Sequence, residues 1–154
     1  MIISKARMFA MEIPLSVPYT IAYETILGTT NLFLVLESSC GHTGIGCAAP
    51  APEVTGETAE LARTSLRSLA NQLIGATVDV ASQNSSFAIL GSPAANTAVD
   101  MALADLSARA QSQYLQKWLS TKSNRSTPVT TSVTIGISSI DETLERARKL
   151  INEG

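Results

Sequence analysis

The stretch Asn31-Leu-Phe-Leu-Val-Leu-Glu-Ser-Ser-Cys40-Gly-His-Thr-Gly-Ile-Gly-Cys-Ala48 decides how this chain folds. Asn31 to Glu37 encloses an unbroken apolar run, the pattern of a strand buried on both faces. Cys40-Gly41 supplies a two-residue hairpin turn, and Thr43 to Ala48 returns as the partner strand. Gly44 and Gly46 carry no side chain, so another backbone can approach that strand closely. Upstream, Ile2 to Ile13 is β-compatible and stops at Pro14, which completes a three-stranded antiparallel sheet. Leu15 to Thr30 reads as a long loop containing Pro18, Tyr19, Tyr23 and Gly28. A loop of that length is either functional or poorly ordered.

Helices follow Pro52. In Thr55 to Ile74 the apolar positions Ala62, Leu66, Leu69 and Leu73 step by four, three and four, with Glu57 and Glu60 in the first turn and Gly75 as the stop. Asp79 to Leu90 is a weaker helical pattern. Ser92-Pro93 then supplies an N-cap and a proline at the first helical position, and Ala95, Val99, Ala102, Leu106 and Ala110 form a stripe of mostly small residues suited to close packing. A short helix covers Tyr114 to Leu119. Ser120 to Pro128 is polar and ends in proline, marking a boundary. Beyond it, Val129 to Ser138 alternates apolar residues with small hydroxyls and glycine, as a strand does. Ser139-Ile-Asp-Glu142 is a capping box opening a helix whose stripe is Ile140, Leu144, Ala147 and Ile151, with Glu142/Arg146 and Glu145/Lys149 as favourable pairs.

The fold class is therefore α+β: a three-stranded antiparallel sheet on three or four helices, then one β/α unit. The expected domains are 1–119, a linker at 120–128, and 129–154. A chain of 154 residues suits one ordinary core, burying about 70% of the surface its unfolded form exposes. Hydrophobic content of 45%, charged content of 16% and mean hydropathy of +0.18 exclude a disordered chain. The longest strictly apolar run, Leu32 to Leu36, is too short to span a membrane. With 11 basic and 13 acidic residues, and no basic stripe interleaved with aromatics, neither nucleic acid nor a membrane surface is an expected partner. Lys5 and Arg7 interrupt the apolar N-terminus, so a cytoplasmic protein is expected. Cys40 and Cys47 flank His42, but at about 3.3 Å per residue Cys47 lies roughly 18–20 Å along the return strand from the turn. A disulfide needs Cα atoms within about 7 Å. Two free thiols and an exposed turn histidine are expected instead of a metal site.

Further pieces stand in a telling order: Ile13-Pro-Leu-Ser-Val-Pro18, Ile21-Ala22, Thr25, Leu36-Glu37, Gly41-His-Thr-Gly44-Ile-Gly46, Ala48-Ala-Pro50, Thr55-Gly-Glu-Thr58, Ala98-Val-Asp100-Met-Ala-Leu-Ala-Asp105-Leu and Thr131-Ser-Val-Thr-Ile-Gly-Ile137. In that order they resemble the enolase superfamily, in its mandelate racemase and muconate-lactonizing group, on the dipeptide epimerase side. The resemblance covers the N-terminal capping domain and the first β/α unit of a modified TIM barrel. It implies a Mg²⁺-dependent isomerase in which barrel lysines act as bases and barrel carboxylates hold the metal. Those positions fall beyond residue 154 in the family's order. The resemblance thus implies no catalytic residue and no metal ligand in this chain, with Mg²⁺ belonging to full-length members. A truncated chain without activity of its own is expected, and a free-standing small-ligand-binding or oligomerisation module derived from the cap is the alternative.

The resemblance also assigns substrate contacts. The loops Ser16 to Thr30 and Pro50 to Thr55 match capping loops that close over the active site, which makes Tyr19, Ile21, Tyr23, Glu24 and Thr55 candidates. Thr134 matches a barrel-strand hydroxyl position. Residues 8 to 62 hold Glu12, Glu24, Glu37, Glu53, Glu57 and Glu60 and no Lys or Arg, which favours a cationic group on the dipeptide-like ligand that the resemblance implies. Cys47, Asn96 and Ser120 depart from the glutamate, basic residue and glycine common at these places in relatives. The apolar faces of 129–154 predict a homo-oligomer formed through that unit.

Overall fold

Sheet and helices meet at β3 (Thr43–Ala48) in the computed structural model, which describes residues 1–22, 24–78, 92–120 and 130–153. β3 pairs antiparallel with β2 (Thr25–Ser38), with Leu34 opposite Gly46 and Leu36 opposite Gly44. β1 (Ile3–Thr20) lies on the other side of β2, giving the order β1-β2-β3. The remaining elements are α1 (Pro52–Thr55), α2 (Ala59–Leu73), α3 (Pro93–Ala110), α4 (Leu115–Leu119) and α5 (Ile140–Glu153). Two compact units result: Met1–Glu12 with Thr30–Asn124, and Ile13–Thr29 with Arg125–Gly154. No helix among the described residues is long and apolar enough to cross a membrane.

The core of the first unit lies between one sheet face and α2 and α3. Leu32, Leu34 and Leu36 on β2 are fully buried with Ala62, Leu66, Leu69 and Leu73 of α2 and Ala95, Ala98, Ala102 and Leu106 of α3. Gly44 and Gly46 let α3 lie directly on β3. A Cβ at Gly46 would fall on the Ala98 carbonyl and stand 2.9 Å from the Ala102 nitrogen; one at Gly44 would stand 2.6 Å from both the nitrogen and the Cβ of Leu106. Most of these obstacles are backbone, which cannot step aside as a side-chain tip can. α3 also satisfies the free side of β3: the Ile45 N–H donates to Asp105 Oδ2 at 3.0 Å, and Arg109 pairs with the same carboxylate at 2.9 Å.

The β2 strand is buried on one face, not both. Helices cover only the leucine side, so strand alternation leaves Phe33 and Val35 half-buried, and Phe33 stacks on Phe9 with ring centroids 5.3 Å apart. The β2–β3 turn has three residues rather than two. The Ser38 N–H donates to the His42 carbonyl at 2.8 Å, and Gly41 adopts φ +84°, the left-handed position of a bulged three-residue hairpin. Cys40 and Cys47 are free thiols; Cys40 is exposed, and burial pushes the Cys47 thiol up.

The segment Leu15 to Thr30 is not a loop. β1 continues to Thr20 and β2 begins at Thr25, because Pro14 and Pro18 forfeit a donor without ending an edge strand. α2 begins at Ala59, not Thr55, with the Thr58 hydroxyl accepting from the Leu61 N–H at 3.2 Å. The intervening α1 is a single turn ended by Gly56 at φ +74°. This frees Glu57 for a different task. Buried at 5% exposure, it accepts the Ser92 hydroxyl at 2.6 Å and the Ala94 N–H at 3.0 Å. Ser92 occupies the N-cap position of α3, yet Glu57 supplies the capping oxygen, and its charge suits the helix N-terminus. Gly75 ends α2 at φ +86° as the sequence predicts, and the returning chain bonds to β1 through Gly75 N–H to the Ile3 carbonyl and Ile3 N–H to the Ala76 carbonyl, each 2.9 Å. The helical pattern at 79–90 and most of the 120–128 linker lie outside the described residues.

In the second unit, residues 130–138 form no strand ladder, contrary to the strand expected from their alternation. A strand needs a paired neighbour, and the described residues offer this segment a single backbone bond to the hairpin. The capping box of α5 forms as predicted: Ser139 N–H donates to Glu142 Oε2 at 3.1 Å, and the Glu142 N–H to Ser139 Oγ at 3.3 Å. The Ser139 hydroxyl and amide hold the Glu142 carboxyl below its usual range. This contribution is present above the unfolded carboxylate range and is lost as pH falls through the lowered value. Lys149 turns to Glu153 at 3.8 Å rather than to Glu145.

Gly46→Ala is expected to lower stability by about 1–3 kcal/mol through overpacking against α3, read as a lower urea midpoint at unchanged slope; an unchanged midpoint would contradict the contact. Thiol-specific labelling at neutral pH should modify Cys40 well before Cys47. Because burial raises its pKa, Cys47 should accelerate only as alkaline pH supplies thiolate, which peptide mass mapping resolves.

Candidate substrate-contact site

Within the second unit the β1–β2 hairpin ends in a turn closed by the Ile21 N–H donating to the Glu24 carbonyl at 2.9 Å. Thr20 and Thr25 face each other across it, hydroxyl oxygens 3.0 Å apart. Below the turn the two arms are unequal. Gly28 lies against Ile13 and Pro14, so the β1 arm holds more residues than the β2 arm before the strands meet again at Thr20 and Thr25.

The segment preceding α5 seats on this tip. The Ile137 N–H donates to the Thr20 carbonyl at 2.8 Å. Gly136 fits against the same residues: a Cβ there would stand 3.1 Å from both the Thr20 carbonyl oxygen and Tyr19 Cδ2, and 3.2 Å from the Thr20 nitrogen. The structure thus brings Tyr19 and Thr20 together with Gly136 and Ile137. Tyr19 and Ile21 are half-buried, while Glu24 and Thr134 are exposed. Tyr23 lies outside the described residues. Thr55 belongs to the first unit, where its hydroxyl donates to the Ala51 carbonyl at 3.0 Å and accepts from the Glu57 N–H at 3.3 Å. It therefore shapes the turn that delivers Glu57 to α3.

Two members of the cluster escaped the sequence reading. Thr20 acts through its carbonyl, which no motif reports. Gly136 left a trace, since it alone interrupts the hydroxyl series Thr130, Ser132, Thr134 and Ser138.

Residues 3–119 match the family model of the mandelate racemase / muconate lactonizing enzyme N-terminal domain, and the chain belongs to this family. The L-Lys-D/L-Arg epimerase of Desulforapulum autotrophicum is 38% identical over 158 aligned positions, which take in 99% of this chain and 43% of that protein. The crystal structure of the dipeptide epimerase from Methylococcus capsulatus, complexed with Mg and the dipeptide L-Arg-D-Lys, matches with a TM-score of 0.85 and 33% identity over 100% of this chain and 44% of that one. The dipeptide epimerase of Enterococcus faecalis, complexed with Mg and L-Leu-L-Tyr, shares the fold with a TM-score of 0.88 at 24% identity over 99% and 43%. The chain spans less than half the length of these relatives and corresponds to their N-terminal part. Its architecture is an enolase-type N-terminal cap with part of a barrel.

No three His, Cys, Asp or Glu side chains among the described residues come together to hold a metal ion. Several carboxylates are committed elsewhere: Glu37 to Lys5 at 3.0 Å, Glu57 to α3, Asp105 to β3 and Arg109, and Glu142 to Ser139.

Gly136→Val should unseat the segment from the hairpin, because both the Thr20 backbone and the Tyr19 ring stand where the side chain would go. Hydrogen exchange at the Ile137 amide should rise with little change at Leu34 or Leu36 in the first unit. Undiminished protection at Ile137 would contradict the seating.

Proposed function

We propose that this chain serves as the substrate-capping part of a dipeptide-epimerase-like protein, with residues 1–119 as cap, 120–128 as linker and 129–154 as the first β/α unit. The hairpin tip, residues 19–24, is the proposed specificity surface, Thr134 a hydroxyl contact beside it, and Thr55 the residue that sets the second capping loop. The seating of Gly136 and Ile137 on Thr20 carries this reading, since it joins the capping hairpin and the β/α segment at one place. The proposed ligand is a dipeptide with a cationic side chain. Glu24 is exposed at the tip, residues 8 to 62 are free of Lys and Arg, and two relatives at 38% and 36% identity are named for Lys and Arg dipeptides.

The 154 residues by themselves are proposed to be catalytically silent. Abstracting a proton from a carbon acid needs a placed base and a charge sink worth many kcal/mol, and the carboxylates named above already serve structure. The chain is further proposed to be cytoplasmic and to self-associate through 129–154.

α-Proton exchange of L-Lys/L-Arg dipeptides in D₂O with Mg²⁺, followed by NMR, should show no turnover by the chain alone. EDTA-sensitive exchange would overturn the silent reading. Calorimetric titration should show cationic dipeptides binding more tightly than apolar ones, with Glu24→Gln costing about 2- to 5-fold, as an exposed ion pair does. Equal affinity for both classes would overturn the assignment of the tip.

A further inference from the structure

Each residue of Thr55-Gly56-Glu57-Thr58 has its own task in the first unit. The Thr55 hydroxyl donates to the Ala51 carbonyl at 3.0 Å and accepts the Glu57 N–H at 3.3 Å, which closes α1 on itself. Gly56 ends that turn at φ +74°, its N–H donating to the Pro52 carbonyl at 2.9 Å. Thr58 accepts from the Leu61 N–H and starts α2. Glu57, between them, turns its carboxylate to α3: one oxygen accepts the Ser92 hydroxyl at 2.6 Å and the other the Ala94 N–H at 3.0 Å. α1, α2 and α3 therefore meet at one residue.

The carboxylate is the stiff part of this junction. At 5% exposure it has exchanged water for those two donors, and a charge out of water is costly unless new hydrogen bonds replace the ones it lost. Its place is thus dictated by α3, which is itself held on β3 by main-chain contact. α1 has no such anchor of its own, being four residues long with none of them buried. An isolated helical turn is unstable in water. What steadies it is the run from the Ala51 carbonyl through the Thr55 hydroxyl and the Glu57 amide to the carboxylate on α3.

We infer that Glu57 is a positioning residue for the second capping loop: it clamps residues 50–56 to α3 in advance, so this loop is a preformed wall of the capping surface and not a lid that orders on binding. The inference rests on the proposed capping function and adds the residue that sets this loop's share of the affinity.

Hydrogen exchange followed by NMR on the full chain tests the clamp without any ligand. Glu57→Ala should speed exchange of the Thr55, Gly56 and Ala94 amides about tenfold, while Leu34 and Leu36 on β2 keep their protection. Glu57→Gln keeps an acceptor for the Ala94 N–H and can offer its amide to Ser92 Oγ, so it should restore protection to near the wild-type level. Thr55→Val severs the run on the loop side alone and should release Gly56 while Ala94 stays protected. Should Glu57→Ala fail to fold, Ser92→Ala, which removes one of the two donors, takes its place. Unchanged exchange at Gly56 in these variants would overturn the clamp. In the wild type, exchange at Thr55 and Gly56 should be the same with and without L-Arg-L-Lys, and protection that arises only on binding would overturn the preformed wall. Calorimetric titration with L-Arg-L-Lys should show affinity falling about threefold or more in Glu57→Ala or Ser92→Ala and recovering in Glu57→Gln. Wild-type affinity in a variant whose loop is loosened would overturn the positioning role alone. No binding by the wild type would instead overturn the capping function on which that role rests.

Discussion

The contact of the α3 backbone with β3 is the constraint on which the rest of the first unit depends. Helix and strand approach so closely at Ala98 and Ala102 that two strand positions must carry no side chain, and Gly44 and Gly46 meet that demand. Once α3 is fixed there, the leucines of β2 find their cover and α2 packs alongside. The arrangement leaves little slack, because atoms on both sides of the contact are main chain.

Acidic residues secure this geometry. Glu57 reaches from the α1–α2 connection to the N-terminus of α3, and Asp105 reaches from α3 to the outer N–H of β3. One fixes where the helix begins, and the other fixes its register along the strand. Both carboxylates answer backbone donors, one in the first turn of α3 and one on the outer edge of β3.

The hairpin beyond Glu12 and the segment beyond residue 129 belong together, although more than a hundred residues separate them in sequence. Their link is built from main chain: an amide at Ile137, a carbonyl at Thr20, and a glycine whose Cβ would stand only 3.1 Å from Thr20 and Tyr19. Backbone contacts of this kind fix position without drawing on the side chains of Ile21 and Glu24 at the tip.

Local patterns were legible without coordinates. β3 from Thr43 to Ala48, α3 from Pro93 to Ala110, the Gly75 stop and the Ser139–Glu142 capping box all follow from periodicity, caps and glycine, which act over a few residues. The small-residue stripe of α3 and the two glycines of β3 announced a close approach, though not that each required the other. Only the tertiary structure decided what depends on distant partners: that Glu57 caps α3 instead of opening α2, that Phe33 faces outward onto Phe9, that the stretch around Pro14 and Pro18 stays in a hairpin, and that residues 130–138 take up no ladder. Sequence determines what a residue can pair with nearby, whereas burial and hydrogen bonding across long chain separations depend on which surfaces the fold brings into contact.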